Sequence, residues 1–216
     1  VDNNSGDGSR EWLLSHQSSR VHCVISDLNL GGAGGFAIGM REARRLFDPD
    51  WVVLMDDDGF PTHNAMETFR SGHRKATTVY SAAVYLPNGS ISPLNRPLWS
   101  PFSSAKRFLL SIFAGRNGYY VSDAQYRSGN KVAVEYASFV GLFVPRSALH
   151  ACGSPDSRLF LYCDDYFYCH ELRRAGYEIV FDPKLQFIHD CSSFPQAHRK
   201  FEPLWKGYCA HRNAIY

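Results

Sequence analysis

Three consecutive carboxylates, Asp56, Asp57 and Asp58, stand where the apolar run Trp51-Val-Val-Leu-Met55 stops and Gly59 and Pro61 turn the chain. Oxygen ligands in that number suit a hard divalent cation, Mg2+ or Mn2+, carrying a diphosphate. Side chains of an extended chain alternate between faces, so Asp56 and Asp58 can converge on one ligand while Asp57 faces away. The same residues admit a plainer reading, an acidic turn in which Asp58 or Thr62 caps a helix over residues 64–70. A second acidic pair, Asp164-Asp165, precedes a helical pattern and reads by itself as the cap of that helix. His189, alone at a strand end, reads by itself as an ordinary polar residue.

These side chains need elements to position them. Residues 51–55, β-branched and apolar between turn formers, read as a buried strand, and open α/β sheets bind ligands beyond the carboxyl ends of such strands. Turn formers over 1–9, a helical pattern over 10–16, a strand over 21–26 and a glycine-rich turn from Asn29 into a helix ending near Phe47 set up a repeating strand-helix order. That order predicts an α/β fold with a mostly parallel sheet flanked by helices. Residues 78–131, with Pro87, Asn88-Gly89, Pro93, Pro97 and Pro101, read as hairpin and loop with a short helix near 104–114. A strand-like run over 132–144 broken at Gly141, a helix over 166–175 closed by Gly176, and strands at 177–181 and 186–189 follow.

Composition narrows the function. The 216 residues are 44% hydrophobic and 14% aromatic, enough for one well-packed core with a small lobe. With 23 basic and 21 acidic residues scattered along the chain, no polyanion-binding stripe exists and nucleic acid is not an expected partner. Six cysteines without a C-x-x-C pair read as reduced thiols in a cytosolic protein. A zinc site from Cys163, Cys169, His170, His189 and Cys191 matches no familiar spacing. No signal peptide is visible and no apolar stretch reaches the roughly 18 to 20 residues a bilayer requires. The chain opens at Val1 in what reads as a strand end and stops at Tyr216 in a helical pattern, which suggests a piece of a longer protein, trimmed at both ends.

Gly32-Ala33-Gly34 between strand and helix also matches part of a dinucleotide fingerprint, with Asp56 as ribose acid, which would make a dehydrogenase. Ala37 stands where the third glycine belongs, and the glycines can also serve close packing alone.

Six motifs in order carry a resemblance across nearly the whole chain. They are Val1-Asp2-Asn3-Asn4-Ser5-x-Asp7-Gly8-Ser9, Asn29-Leu30-Gly31-Gly32-Ala33-Gly34-Gly35-Phe36, Met55-Asp56-Asp57-Asp58, Gly141-Leu-Phe-Val-x-Arg146, Asp164-Asp165 with Ala175-Gly176-Tyr177, and His189. The set resembles family 2 glycosyltransferases, nearest their galactofuranosyltransferase branch, with rhamnosyltransferases nearby. The resemblance implies a Rossmann-like GT-A fold in a single catalytic domain, residues 1–77 binding nucleotide sugar and 78–216 the acceptor. It implies Asp56, Asp58 and His189 as ligands of Mn2+ or Mg2+, and Asp165, with Asp164 as second choice, as catalytic base. Asp2, Asn29, Gly32, Gly35, Asp57 and Gly141 are carried over as substrate-binding positions, Asp2 at the donor nucleoside. The implied reaction is inverting transfer of galactofuranose, rhamnose or another hexose from a UDP-type donor to a glycan or lipid-linked acceptor in cell-surface polysaccharide synthesis. An inactive sugar-nucleotide-binding domain is the non-enzymatic alternative. Members of the family begin with a strand that forms part of the nucleotide pocket and is missing here, so the donor site is expected to be incomplete.

One segment is left over. Lys106-Arg107-Phe-Leu-Leu-Ser-Ile-Phe113-Ala-Gly-Arg116 has basic residues at both ends of a bulky apolar stretch. It is expected as a core helix with snorkelling ends. The alternative is a peripheral contact with the inner face of the cell membrane.

Overall fold

The computed structural model describes residues 1–191 and 203–215. In chain order the helices and strands are β1 (Asp2–Asn3), α1 (Ser9–Ser15), β2 (Ile25–Ser26), α2 (Gly31–Phe47), β3 (Trp51–Leu54), β4 (Gly59–Pro61), α3 (Ala65–Ser71) and β5 (Thr78–Tyr85). Then come α4 (Ala105–Ala114), α5 (Asp123–Ser128), β6 (Val132–Val134), β7 (Leu142–Pro145), α6 (Arg146–Cys152), α7 (Asp164–Arg174), β8 (Glu178–His189) and α8 (Leu204–Ala214). The chain divides into two compact units. One comprises Val1–Pro49, Gly153–Tyr168 and the last helix; the other comprises Asp50–Cys152 and residues 169–191.

In the first unit β1 pairs in parallel with β2. Helix α2 buries Ala33, Ala37 and Met40, a spacing that keeps one face inward. The glycine run predicted as a turn lies inside this helix. Gly31 sits at φ 69°, and a Cβ there would collide with the carbonyl of Phe160, whose oxygen accepts the Ala33 amide. Its left-handed backbone and the close approach of a second chain segment together explain that glycine.

The second unit holds a six-stranded sheet of order β3-β7-β5-β8-β4, with β6 on β8. The mostly parallel sheet predicted from the sequence is corrected to a mixed one. Among its strand pairs only β5–β8 is parallel, and β7 is antiparallel to both β3 and β5. Residues 86–141 return the chain to the carboxyl end of β3, where Leu142 starts opposite Leu54, so β7 must run backwards. The region expected to be hairpin and loop opens with β5, which is buried over seven of its eight residues. Its small residues Ser81, Ala82 and Ala83 hide a strand from hydrophobic patterning. The two strands expected at 177–181 and 186–189 are one, β8, with a register jump between the Ala82–Asp182 and Ala83–Gln186 pairs. Phe69 stacks on Phe143 at 4.1 Å between centroids, and Phe187 meets Phe143 edge-on, at the centre of the core.

Helix α4 forms where expected, with the Ser104 hydroxyl accepting the Arg107 amide at its start. None of its residues is buried, so the core-helix expectation fails. No helix of the described residues is long and apolar enough to cross a membrane.

Candidate metal centre

Strand β3 ends at Leu54, whose carbonyl accepts the Gly141 amide, and the chain then turns through the Asp triplet into β4. Gly59 pairs with His189 at the end of β8, and that register places the histidine beside the acidic turn. His189 Nε2 lies 2.9 Å from Asp58 Oδ1 and 3.8 Å from Asp56 Oδ2, while Asp57 is exposed. Asp58 does not cap α3, and neither does the Thr62 side chain; Asn64 stands at the cap position without a side-chain bond, and the Thr62 carbonyl takes the Ala65 amide.

The far side of the imidazole sets its tautomer. His189 Nδ1 is 2.8 Å from Asn95 Oδ1, which also accepts from the Ser92 hydroxyl at 2.7 Å. The Asn95 amide nitrogen donates to Ser138 Oγ and its oxygen faces the ring, and with the amide in that orientation Nδ1 is the donor. With Nδ1 donating to Asn95, Nε2 faces two carboxylates, and a cation bound among them would take the Nε2 lone pair and offset both negative charges. Ligands each about 2.1 Å from one Mg2+-sized ion in octahedral array stand about 3 Å apart when adjacent and about 4 Å when opposite. The observed 2.9 and 3.8 Å fall in that range, and all three ligand atoms lie within 4.8 Å of one another. The donor set therefore fits a hard divalent ion. Burial raises the Asp56 carboxyl above its ordinary value; His189 pulls it back, and Asp58 and Asp57 add to the rise. Burial likewise pushes the Cys191 thiol up, helped by Asp58, Asp56 and Asp190.

Asn95 was invisible to sequence reasoning because it sits in a Pro-rich stretch read as loop.

The other predicted positions lie in the first unit, apart from Gly141, which is buried against Ala82 and Phe187 in the second. Asp2 is enclosed by its own loop: Oδ1 accepts the Ser5 amide and Oδ2 meets Arg10 Nε at 3.0 Å. The Ser5 hydroxyl, Arg10 and the Ser5 amide hold its carboxyl low against the effect of burial. Asn29 Oδ1 accepts the Gly31 amide, and Asn3 links the same turn by accepting from Leu30 N and donating to the Gly31 carbonyl. A Cβ on Gly32 would meet nothing within 4 Å, so protein packing does not require that glycine.

Asp164 and Asp165 lie in the first turn of α7, and Asp165 Oδ1 takes the Tyr166 amide at 2.7 Å. The loop before them is strained. Phe160, Tyr162 and Cys163 have φ of 64°, 69° and 64°, which side chains with a Cβ rarely adopt. Asn213 on α8 holds it, its Nδ2 lying within 3.0 Å of the carbonyls of Leu159, Leu161 and Tyr162. No local pattern marked Asn213, which acts on a segment far away in sequence.

The zinc alternative finds no support. Cys169 is buried and its thiol donates to the Ala137 carbonyl, all six cysteines are free, and among the described residues only Asp56, Asp58 and His189 converge.

A family profile described as glycosyltransferase like family 2 matches residues 13–201. The chain belongs to that family. The dehydrogenase reading of Gly32-Ala33-Gly34 falls with this family match, and Asp56 stands in the acidic turn beside His189. Among its relatives, galactofuranosyltransferase GlfT1 of Mycobacterium tuberculosis is 29% identical over all of this chain and 65% of its own length. GlfT1 of Mycolicibacterium smegmatis is 30% identical over 96% of the chain and 64% of its own length. N-acetylglucosaminyl-diphospho-decaprenol L-rhamnosyltransferase of M. tuberculosis is 25% identical over 93% of the chain and 71% of its own. The family 2 chain thus spans about two thirds of the length of these relatives. In fold it is similar to GalNAc-T7, crystallised with UDP, GalNAc and Mn2+, at a TM-score of 0.56 and 12% identity over 96% of this chain and 40% of the other. The GT-A fold predicted from the motifs is the fold found.

Proposed function

We propose that the chain is the catalytic domain of a metal-dependent inverting hexosyltransferase. It moves galactofuranose, or by the second resemblance rhamnose, from a UDP-type sugar nucleotide to a glycan or lipid-linked acceptor in cell-surface polysaccharide synthesis. The observation that carries this is the convergence of Asp56, Asp58 and His189, with Asn95 fixing the histidine tautomer.

Asp56, Asp58 and His189 would hold Mn2+ or Mg2+. Such an ion supplies Lewis-acid stabilisation of the departing diphosphate. Asp165 takes the proton from the acceptor hydroxyl, with Asp164 the second choice. Direct attack by that hydroxyl inverts the anomeric centre. Asp2 orders the loop that receives the nucleoside; Asn29, Gly32, Gly35 and Asp57 contact the donor, and Gly141 acts through its bond to Leu54 at the root of the acidic turn. Residues 1–77 serve the donor and 78–216 the acceptor in this reading, and the domain works in the cytoplasm, peripherally at the inner face of the membrane.

The test measures nucleoside diphosphate release from UDP-galactofuranose with acceptor and Mn2+. Release that disappears in chelator and in Asp58→Ala is the expected result. Donor binding without release would make the chain a sugar-nucleotide-binding module, and neither would sink the reading.

A further inference from the structure

We propose that α4 and its flanking turns form a lipid-binding finger that lies on an anionic membrane surface. Residues 97–121, within the second unit, form an excursion whose two ends meet. Trp99 N donates to the Tyr119 carbonyl, Val121 N to the Pro97 carbonyl, and Leu98 bridges Tyr120. Between these anchors α4 packs chiefly on the two 3-10 turns beside it, Pro101–Ser103 and Gly115–Gly118.

The side chains it presents are large and apolar. Phe113 is 85% exposed, Phe102 81% and Ile112 59%, with Leu109, Phe108 and Leu110 also exposed. So many large apolar side chains exposed on one short helix and the turn before it mark a contact surface.

Charge selects the occupant. Residues 101–118 contain Lys106, Arg107 and Arg116 and no Asp or Glu. None of the three pairs with a carboxylate among the described residues, and Arg107 lies instead over the Trp99 ring, 4.4 Å from its centroid. Trp99, Tyr119 and Tyr120 stand at the base, where amphipathic rings favour a headgroup layer. Phe, Leu and Ile beside unpaired Lys and Arg are the composition of a helix lying in the interface plane, drawn to anionic headgroups and burying its apolar side chains among acyl chains. Ten residues make a helix about 15 Å long, far short of a span.

The proposal deepens the transferase reading and rests on it only for the lipid-linked acceptor that membrane docking would serve.

The experiment is flotation of the full chain with phosphatidylcholine vesicles and with vesicles containing phosphatidylglycerol. Two variants are compared after thermal melts show them folded: Ile112→Ser with Phe113→Ser, and Lys106→Ser with Arg116→Ser. The parent is expected to float with anionic vesicles only. The apolar variant should bind at least about tenfold more weakly, and the charge variant about fivefold more weakly for each basic residue removed. Parent protein that stays down with both vesicles, or an apolar variant that floats equally well, overturns the proposal. So does a parent that fails to float but sediments as a dimer which the apolar variant dissociates, since the patch would then join two copies. Nucleoside diphosphate release with a soluble acceptor is measured alongside. It should be unchanged in both variants, and its absence in the parent would count against the transferase reading without touching the flotation result.

Discussion

At the scale of single residues, the centre depends on which way each side chain faces. Asn95 holds His189 in the tautomer that turns Nε2 toward Asp56 and Asp58, and partners of metal-binding histidines typically govern affinity. Asn95→Leu is therefore expected to weaken Mn2+ binding about 10- to 100-fold in calorimetry, with Asn95→Asp, which keeps an acceptor, nearer the parent. Equal affinity in all three would mean the tautomer is set elsewhere. The base is tested separately. Asp165→Asn should leave donor affinity nearly unchanged and lower turnover by about 10² to 10⁴. Unchanged turnover would reduce Asp165 to the role its bond to the Tyr166 amide already shows, ordering the first turn of α7.

At the scale of elements, the loop before α7 is held in a conformation its residues would not choose. Three left-handed residues other than glycine, spaced within four positions, persist only where the surroundings over-determine them. The two Nδ2 hydrogens of Asn213 are shared among three carbonyls there, and Arg212 adds bonds to those of Arg158 and Leu159. Asn213→Ala removes the donor these carbonyls share and is expected to cost about 1 to 3 kcal/mol, read as a lower denaturation midpoint. If Asp165 is the base, turnover should fall further than donor affinity. A variant with parental stability would show that the loop holds itself. Helix α4 makes the complementary point. Its apolar run between basic ends was visible in the sequence and led to the expectation of a core helix, which the tertiary structure leaves in solvent; the Ser104 cap emerged only in the structure.

At the scale of the whole chain, the acidic centre trades stability for function. Burial leads the rise in the Asp56 carboxyl, with Asp58 and Asp57 adding to it against His189. Its folded value lies above the ordinary 3.8, so the folded chain binds that proton more tightly than the unfolded one. The contribution to stability is therefore present below 3.8 and is lost as pH rises through the folded value. In chelator at neutral pH, Asp56→Asn should melt above the parent, with the gap narrowing as pH falls toward the folded value. Mn2+ at about 100 times its dissociation constant should stabilise the parent by about 2.7 kcal/mol and the variant far less. A variant no more stable in chelator, or one that gains the same metal shift, would refute this account.

What the sequence by itself determined was local: an acidic triplet closing a buried strand, a short helix near 104–114, an acidic pair opening a helix, and an order of motifs that named the family. Such features depend on neighbouring residues and on propensities that act within a turn or a strand. Tertiary structure decided the rest. His189 joins the carboxylates because β4 pairs with β8 in the register that sets Gly59 opposite it, and a shift of one residue would turn the imidazole to the other face. β7 runs antiparallel because of where the chain returns after residue 141, which no periodicity encodes. Asn95 and Asn213 act across long sequence separations, and a polar residue bonded to a distant partner looks in sequence like any polar residue in a loop. Patterning reports which faces are apolar; only packing decides what covers them, and around α4 the described residues do not.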